Sequence, residues 1–196
     1  MAAGGINLKR YYPGITDKRL NNRRFYRTEE AILRAFFGDE YLSAREVARR
    51  AGIARTTFYH HHQSVAKIVA DYQKYIINKY KRLVKKMLSA QKTPVRIMYE
   101  RTLLFIVQHK RIFKILLMKR ELSVLKYMIS KMQLRLVEAM RLPKNSARIF
   151  LVYEGEVVSL IDAWCRNGMK EDEINQLLDE IMFLTETARV RLKVLL

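Results

Sequence analysis

Apolar residues recur three and four positions apart over most of this chain, which is the period of a helix buried on one face. The longest run follows Ser64 and consists of Val65, Ile68, Val69, Tyr72, Ile76, Tyr80, Leu83 and Met87. No stretch alternates apolar and polar residues as a half-buried strand does. Only seven glycines and three prolines interrupt the pattern. The sequence therefore predicts an all-α fold of about nine helices.

Capping and breaking residues divide this pattern into helices. Ser43, with Glu46 three residues later, predicts a capping box at the start of a short helix over 44–50. The other residues expected to begin or end the first four helices are Thr28, Gly38, Gly52 and Ser64. A third helix is predicted over 54–61, and later helices at about 95–109, 111–119, 121–141, 145–166 and 170–195. Their limits follow from Pro94, Pro143, Asn145 and Asn167-Gly168.

The pattern also divides the chain into three parts. Residues 1–26 have no apolar period and contain Pro13 and several basic residues, so they are expected to form a basic N-terminal arm. Residues 27–71 contain the short helices and form a first domain. Residues 72–196 are expected to form a second domain, a helical bundle.

Charge narrows the classes of partner. Thirty-eight Lys and Arg against 19 Asp and Glu give a net charge of +19, which attracts polyanions such as nucleic acid or an anionic membrane surface. Residues 74–148 hold 20 basic and 3 acidic residues, a net +17, whereas 149–196 hold 5 basic and 9 acidic, a net −4. The last quarter of the chain is therefore expected to have a different role.

The residues do not support several other classes of protein. There is one cysteine, Cys165, no secretory signal and no apolar run long enough for a membrane span, so a cytoplasmic location is expected. Sequence motifs of enzymes are missing, and no cofactor is expected. The run His60-His61-His62 is not expected to bind metal, because consecutive helical positions point about 100° apart.

Residues 44–63, AREVARRAGIARTTFYHHHQ, have the spacing of a helix-turn-helix. Val47, Ala51, Ile53 and Phe58 are expected to hold two short helices together, with the small Ala48 where they cross. Gly52 would supply the positive φ that the turn requires. In this arrangement the third helix enters the major groove of double-stranded DNA.

The residues expected to contact DNA lie mainly on that third helix. Arg55 is the candidate for a guanine contact, because its guanidinium matches two acceptors on one base. Thr56 and Thr57 can reach a base edge or a phosphate, and Tyr59, His60 and His61 can donate to phosphates. The remaining expected contacts are Ser43, Arg45 and Arg27.

On these residues the chain resembles the TetR/AcrR family of bacterial transcriptional regulators. The matching stretches are AREVARRAGIARTTFYHHHQSVAKI and, near the other end, EGEVVSLIDAWCRNGMKEDEINQLL. His62 stands where the family usually has Phe, Val65 stands where it has Lys, and the GDEYLS connection is shorter than usual. The resemblance implies a homodimer formed by the last two helices and a small-molecule effector bound among the middle helices. For the middle helices themselves, a filled core is the favoured interpretation over a cavity.

The dimer interface is expected on one face of the helix ending at Arg166. Phe150, Val157, Ile161 and Trp164 recur at helical spacing there, and Gly155 suits a close approach of two helices. The predicted function is transcriptional regulation by operator binding, more specifically repression at a palindromic operator. The alternative is a non-specific architectural DNA-binding protein, and a weaker one is a peripheral membrane protein bound through KYKRLVKK at 79–86.

Overall fold

The computed structural model describes residues 23–37, 42–89, 93–118, 122–139 and 147–195, and every regular element in these ranges is a helix. The all-α prediction is thus confirmed. The α-helices are α1 Arg23–Phe36, α2 Ala44–Arg50, α3 Arg55–His61, α4 Val65–Ser89, α5 Val95–Gln108, α6 Lys110–Met118, α7 Ser123–Ala139, α8 Ala147–Arg166 and α9 Ile174–Leu195. The chain divides into two compact units between Ile76 and Ile77, within α4.

In the first unit, α1 begins earlier than its sequence predicts. The helix starts at Arg23, so the prediction that Thr28 caps it is wrong. The hydroxyl of Thr28 instead donates to the Arg24 carbonyl one turn back, at 3.1 Å. Residues 23–26, assigned to the N-terminal arm, are therefore helical. Residues 1–22 and Gly38 lie outside the described residues.

The other predicted starts in this unit are confirmed. Ser43 accepts from the backbone of Glu46, and the Glu46 carboxylate accepts from the Ser43 backbone at 2.8 Å, which completes the capping box. Ser64 Oγ accepts from the Lys67 backbone at 3.0 Å at the start of α4. Both caps satisfy amide groups that the first turn of a helix leaves without partners.

In the second unit, the middle helices form a core that includes polar groups. Tyr80 and Thr102 are buried with their hydroxyls 3.1 Å apart, and Thr102 donates to the Met98 carbonyl at 2.8 Å. Most of the bulky side chains of the middle helices are buried here: Tyr99, Phe105, Ile106, Phe113, Leu117, Met128 and Met132. Met118 is exposed and Tyr127 is half-buried.

The connection between α8 and α9 differs in detail from the prediction. Gly168 has φ +101° and ends α8 as expected. Residues 171–173, predicted as the first turn of the last helix, form a separate 3₁₀ turn, Glu171–Glu173, and α9 starts at Ile174. The indole of Trp164 donates to the Lys170 carbonyl at 3.0 Å, which fixes this connection. Pro143 and Asn145 lie outside the described residues.

None of the helices described here combines the length and the apolar character that a membrane span requires.

Candidate nucleic-acid interface

Helices α2 and α3 form a helix-turn-helix hairpin. Val47 on α2 and Phe58 on α3 are completely buried, and Ala48 is buried beside them, so the helices are held by their apolar faces. Gly52, between them, has φ +66°, the backbone conformation that favours glycine. The turn is closed by the Ile53 amide, which donates to the Ala48 carbonyl at 3.0 Å. The hairpin predicted from the spacing is therefore present.

The opposite face of α3 is exposed and carries an arginine on a tyrosine. Arg55 Nη2 donates to the Tyr59 hydroxyl at 3.2 Å, and its guanidinium carbon lies 5.5 Å from the centroid of the Tyr59 ring. Both side chains are exposed. A stacked guanidinium retains donors at its edge, so this arrangement presents a planar fork to a ligand without a large loss of side-chain freedom.

Several other residues expected to contact DNA are exposed in the same unit. Thr56 and His60 are exposed on α3, and Thr57 is half-buried. Arg45 on α2 and Arg27 on α1 are also exposed, and so are further cations of these two helices: Arg23, Arg24, Arg34, Arg49 and Arg50. The acidic residue of α2, Glu46, is part of the capping box, and its hydrogen bonds from Ser43 lower its pKa. The exposed charge of α2 and α3 is thus mainly positive.

Two expected contacts have other partners. The Ser43 hydroxyl donates to Glu46 Oε2 at 2.6 Å and accepts from the Glu46 amide, so its single donor is used within the capping box. His61, expected to donate to phosphates, is directed towards α1 instead. Its side chain is only 8% exposed, and its ring stacks on Phe25 with centroids 4.2 Å apart.

His61 belongs to a buried group that the sequence did not predict. Glu29 of α1 is 2% exposed, with Oε2 2.8 Å from His61 Nδ1 and Oε1 2.9 Å from His62 Nε2. We call Glu29, His61 and His62 the Glu29 cluster. The two consecutive histidines reach one carboxylate because α3 ends at His61 and His62 is extended, with φ −136° and ψ 133°. The divergence expected of consecutive helical positions therefore does not apply to this pair.

The spacing of α1 contains the information that locates Glu29. Ile32, Leu33 and Phe36 follow it by three, four and seven residues, so Glu29 lies on the apolar face of the helix. A carboxylate on that face needs a buried partner. In the described part of the chain, no group of three or more His, Cys, Asp or Glu side chains is arranged to hold a metal ion.

The predicted dimer face of α8 is directed inward. Val157, Ile161 and Trp164 are buried within the second unit, where α8 packs on α6, α7 and α9. These three side chains therefore do not form a free outer surface of the protomer. Gly155 is exposed, and a Cβ built on it meets no other element within 4 Å in the part of the chain that the structure describes. The side chain of Phe150 lies outside the described residues.

The outer faces of α8 and α9 carry a different apolar surface. Phe183 is 73% exposed and Val190 is 52% exposed, and their spacing places them on one face of α9. Small residues at intervals of four are exposed on α8: Gly155, Ser159 and Ala163. An open groove of about 520 Å³ lies here, and it is lined by Leu160, Asp179, Glu180, Phe183 and Leu184.

Comparison of the chain with protein-family models, with curated proteins and with solved structures found no match.

Proposed function

We propose that this chain is a sequence-specific DNA-binding transcriptional regulator that acts in the cytoplasm as a homodimer and represses at a palindromic operator. The observation that carries the proposal is the exposed Arg55–Tyr59 pair on α3, a helix held from behind by Phe58 and Val47. A short helix fixed in this way fits the major groove, and an arginine at its start matches the two acceptors of guanine. The resemblance of residues 44–68 to the TetR family supports the same function.

The proposal assigns base contacts to Arg55 and Thr56, and backbone contacts to the surrounding cations. Phosphate contacts fix the position of a protein on DNA but carry no sequence information. Arg27 and Arg45 suit that role, because both are exposed on helices that flank α3 in the first unit. Tyr59 has a double role, since it supports Arg55 and keeps an exposed ring edge.

The homodimer is assigned to the outer faces of α8 and α9, in place of the inner face expected from the sequence. A phenylalanine that is 73% exposed next to an apolar groove is unusual for a surface that stays in water. The small residues Gly155, Ser159 and Ala163 allow a second helix to approach closely. A two-fold dimer doubles the length of the recognised site, which one seven-residue helix cannot supply alone.

The experiment is a selection of bound fragments from genomic DNA by the full chain, sequenced after washing at two salt concentrations. A palindromic motif that persists at the higher salt is expected. A featureless fragment profile whose total binding disappears with salt would instead identify a non-specific architectural protein, because counterion release dominates such binding. Recovery of no DNA at either concentration would contradict both functions.

A further inference from the structure

The Glu29 cluster connects α1 to the end of α3 through a buried charge. Each oxygen of the Glu29 carboxylate meets one imidazole, at 2.8 Å for His61 and 2.9 Å for His62. The side chains of the two histidines are 8% and 5% exposed. Phe25, one turn before Glu29, stacks on the His61 ring. Two residues of α1 thus fix the last residue of the helix that carries Arg55.

The backbone at the end of α3 is held from two sides. The His62 amide still donates to the Phe58 carbonyl at 2.8 Å, although His62 itself is extended. The backbone is therefore fixed on one side by the helix and on the other by the two imidazoles. A change in the length or charge of residue 29 would be transmitted to the axis of α3, a helix of only two turns.

The Glu29 carboxylate is ionised although it is buried. Burial alone raises the pKa of Glu29, but the hydrogen bond with His61 and the close approach of His62 outweigh burial and hold this pKa below its usual range. Removing the carboxylate's charge would leave the two buried imidazoles without their partner, which is costly.

We propose that Glu29 is a positioning residue for DNA reading, which holds the C-terminal end of α3 through His61 and His62 so that Arg55 and Tyr59 meet the bases in one orientation. This inference rests on the proposed DNA-binding function. It assigns sequence discrimination partly to a residue that never touches DNA. It also predicts that these three side chains contribute to the stability of the first unit.

The first test is thermal unfolding of the full chain at neutral pH. The variant is Glu29→Gln, and the matched control is Glu30→Gln, which removes the same charge from a neighbouring residue paired at the surface with Arg34 at 2.7 Å. Folding lowers the pKa of Glu29, so its contribution is present above the ordinary value of 4.5 and is lost only as pH falls below it. At neutral pH the parent therefore keeps this carboxylate ionised.

Glu29→Gln is expected to lower the melting temperature, because the two buried imidazoles lose their ionic partner. Glu30→Gln is expected to follow the parent. Glu29→Asp, which keeps the charge, is expected to lose less melting temperature than Glu29→Gln. A purely steric role for residue 29 would give the opposite order, because Gln matches Glu in size and Asp is shorter.

The second test measures the discrimination between the duplex recovered in the selection and a scrambled duplex of the same composition. Glu29→Gln is expected to reduce this ratio by about tenfold, the effect of one well-formed hydrogen bond to a charged group. Glu30→Gln is expected to leave it unchanged. If Glu29→Gln does not fold, His62→Phe replaces it: this variant keeps the Glu29–His61 pair, removes the second contact, and is expected to reduce the ratio by a smaller factor.

The outcomes separate this inference from the proposed function. Equal behaviour of Glu29→Gln and Glu30→Gln in both tests, or of His62→Phe and the parent, would overturn it. A lower melting temperature of Glu29→Gln with unchanged discrimination would make the cluster purely structural and contradict the positioning role. Should the parent select no duplex, the proposed function fails by itself, and the melting profiles still report whether the cluster exists.

Discussion

Ser43 and Glu46 satisfy each other's polar groups at the start of α2, with Ser43 Oγ 2.6 Å from the carboxylate. Replacement of Ser43 by Ala removes the acceptor for the Glu46 amide. We expect a loss of about 1 kcal/mol in the free energy of unfolding, the usual effect of deleting an N-cap side chain. Denaturant titration measures it. Thr28→Ala is the control, since the Thr28 hydroxyl bonds only within its own helix among the contacts described; equal losses in the two variants would contradict the capping role.

Cys165 is a buried thiol on α8 whose pKa is raised to about 12, chiefly by burial and further by the charge of Asp162. The thiolate is the reactive form, so this cysteine is expected to be inert. In the folded protein at neutral pH, a thiol reagent such as an aromatic disulfide should react much more slowly than in denaturant. Reaction at the same rate in both conditions would show that the side chain is accessible.

Glu29 illustrates what single residues reveal before a structure is known. Its position on the apolar face of α1 could be read from the spacing to Ile32, Leu33 and Phe36. Its partners could not be read from the spacing, because His61 and His62 are more than thirty residues away along the chain and meet Glu29 only through tertiary packing. The inward direction of His61 has the same origin.

Among the elements, the helix limits that depend on local chemistry were predictable. Ser43, Gly52, Ser64 and Gly168 act through their own backbone or that of near neighbours, and each has its predicted role. In the first turn of α1, by contrast, Phe25 makes a tertiary contact by stacking on His61. A stretch without an apolar period gives no indication of such a contact.

The two faces of α8 show a limit of periodicity. The sequence locates an apolar stripe through Val157, Ile161 and Trp164, but it does not tell whether this stripe faces the same chain or a second copy. The stripe is buried in the protomer core, where α8 packs on α6, α7 and α9. The surface left for a partner is less apolar than this stripe. It consists of small residues on α8 together with Phe183 and Val190 on α9.

Phe183→Glu tests the homodimer at this surface. The change places a charge in the apolar groove beside Leu160 and Leu184, and we expect the dimer dissociation constant to rise by at least about 30-fold. Sedimentation velocity at micromolar concentration measures it. Met118→Glu is the matched control, because Met118 is an exposed apolar residue on α6. A parent that sediments as a monomer, or a Phe183→Glu variant as dimeric as its control, would exclude this interface.

For the whole molecule, the dominant property is the net charge of +19. The basic segment of α4 contains four exposed cations, Lys81, Arg82, Lys85 and Lys86. Their replacement by Gln is expected to weaken binding to all DNA sequences together, to slow association and to leave the preferred motif intact. The slope of log affinity against log salt should fall in magnitude by about 0.9 for each phosphate that the variant no longer neutralises.

A second quadruple variant distinguishes the effect of where the cations lie from the effect of the total charge. Gln at Lys110, Arg111, Lys126 and Lys131 removes the same charge from exposed positions on α6 and α7. If the two variants change the salt slope equally, the effect is one of net charge. If neither changes it, the basic segment of α4 takes no part in attracting DNA, and its partner is another anion.

The central claim is that α3 reads base sequence through Arg55, and the most direct measurement compares the motifs selected by the parent and by Arg55→Ala. Arg34→Ala, which removes an exposed arginine from α1, is the control. Arg55→Ala is expected to remain folded and dimeric, to bind the parent's site more weakly by about 1–3 kcal/mol and to lose its preference at one base in each half-site. Arg34→Ala is expected to select the parent's motif. An unchanged motif with Arg55→Ala would contradict the claim.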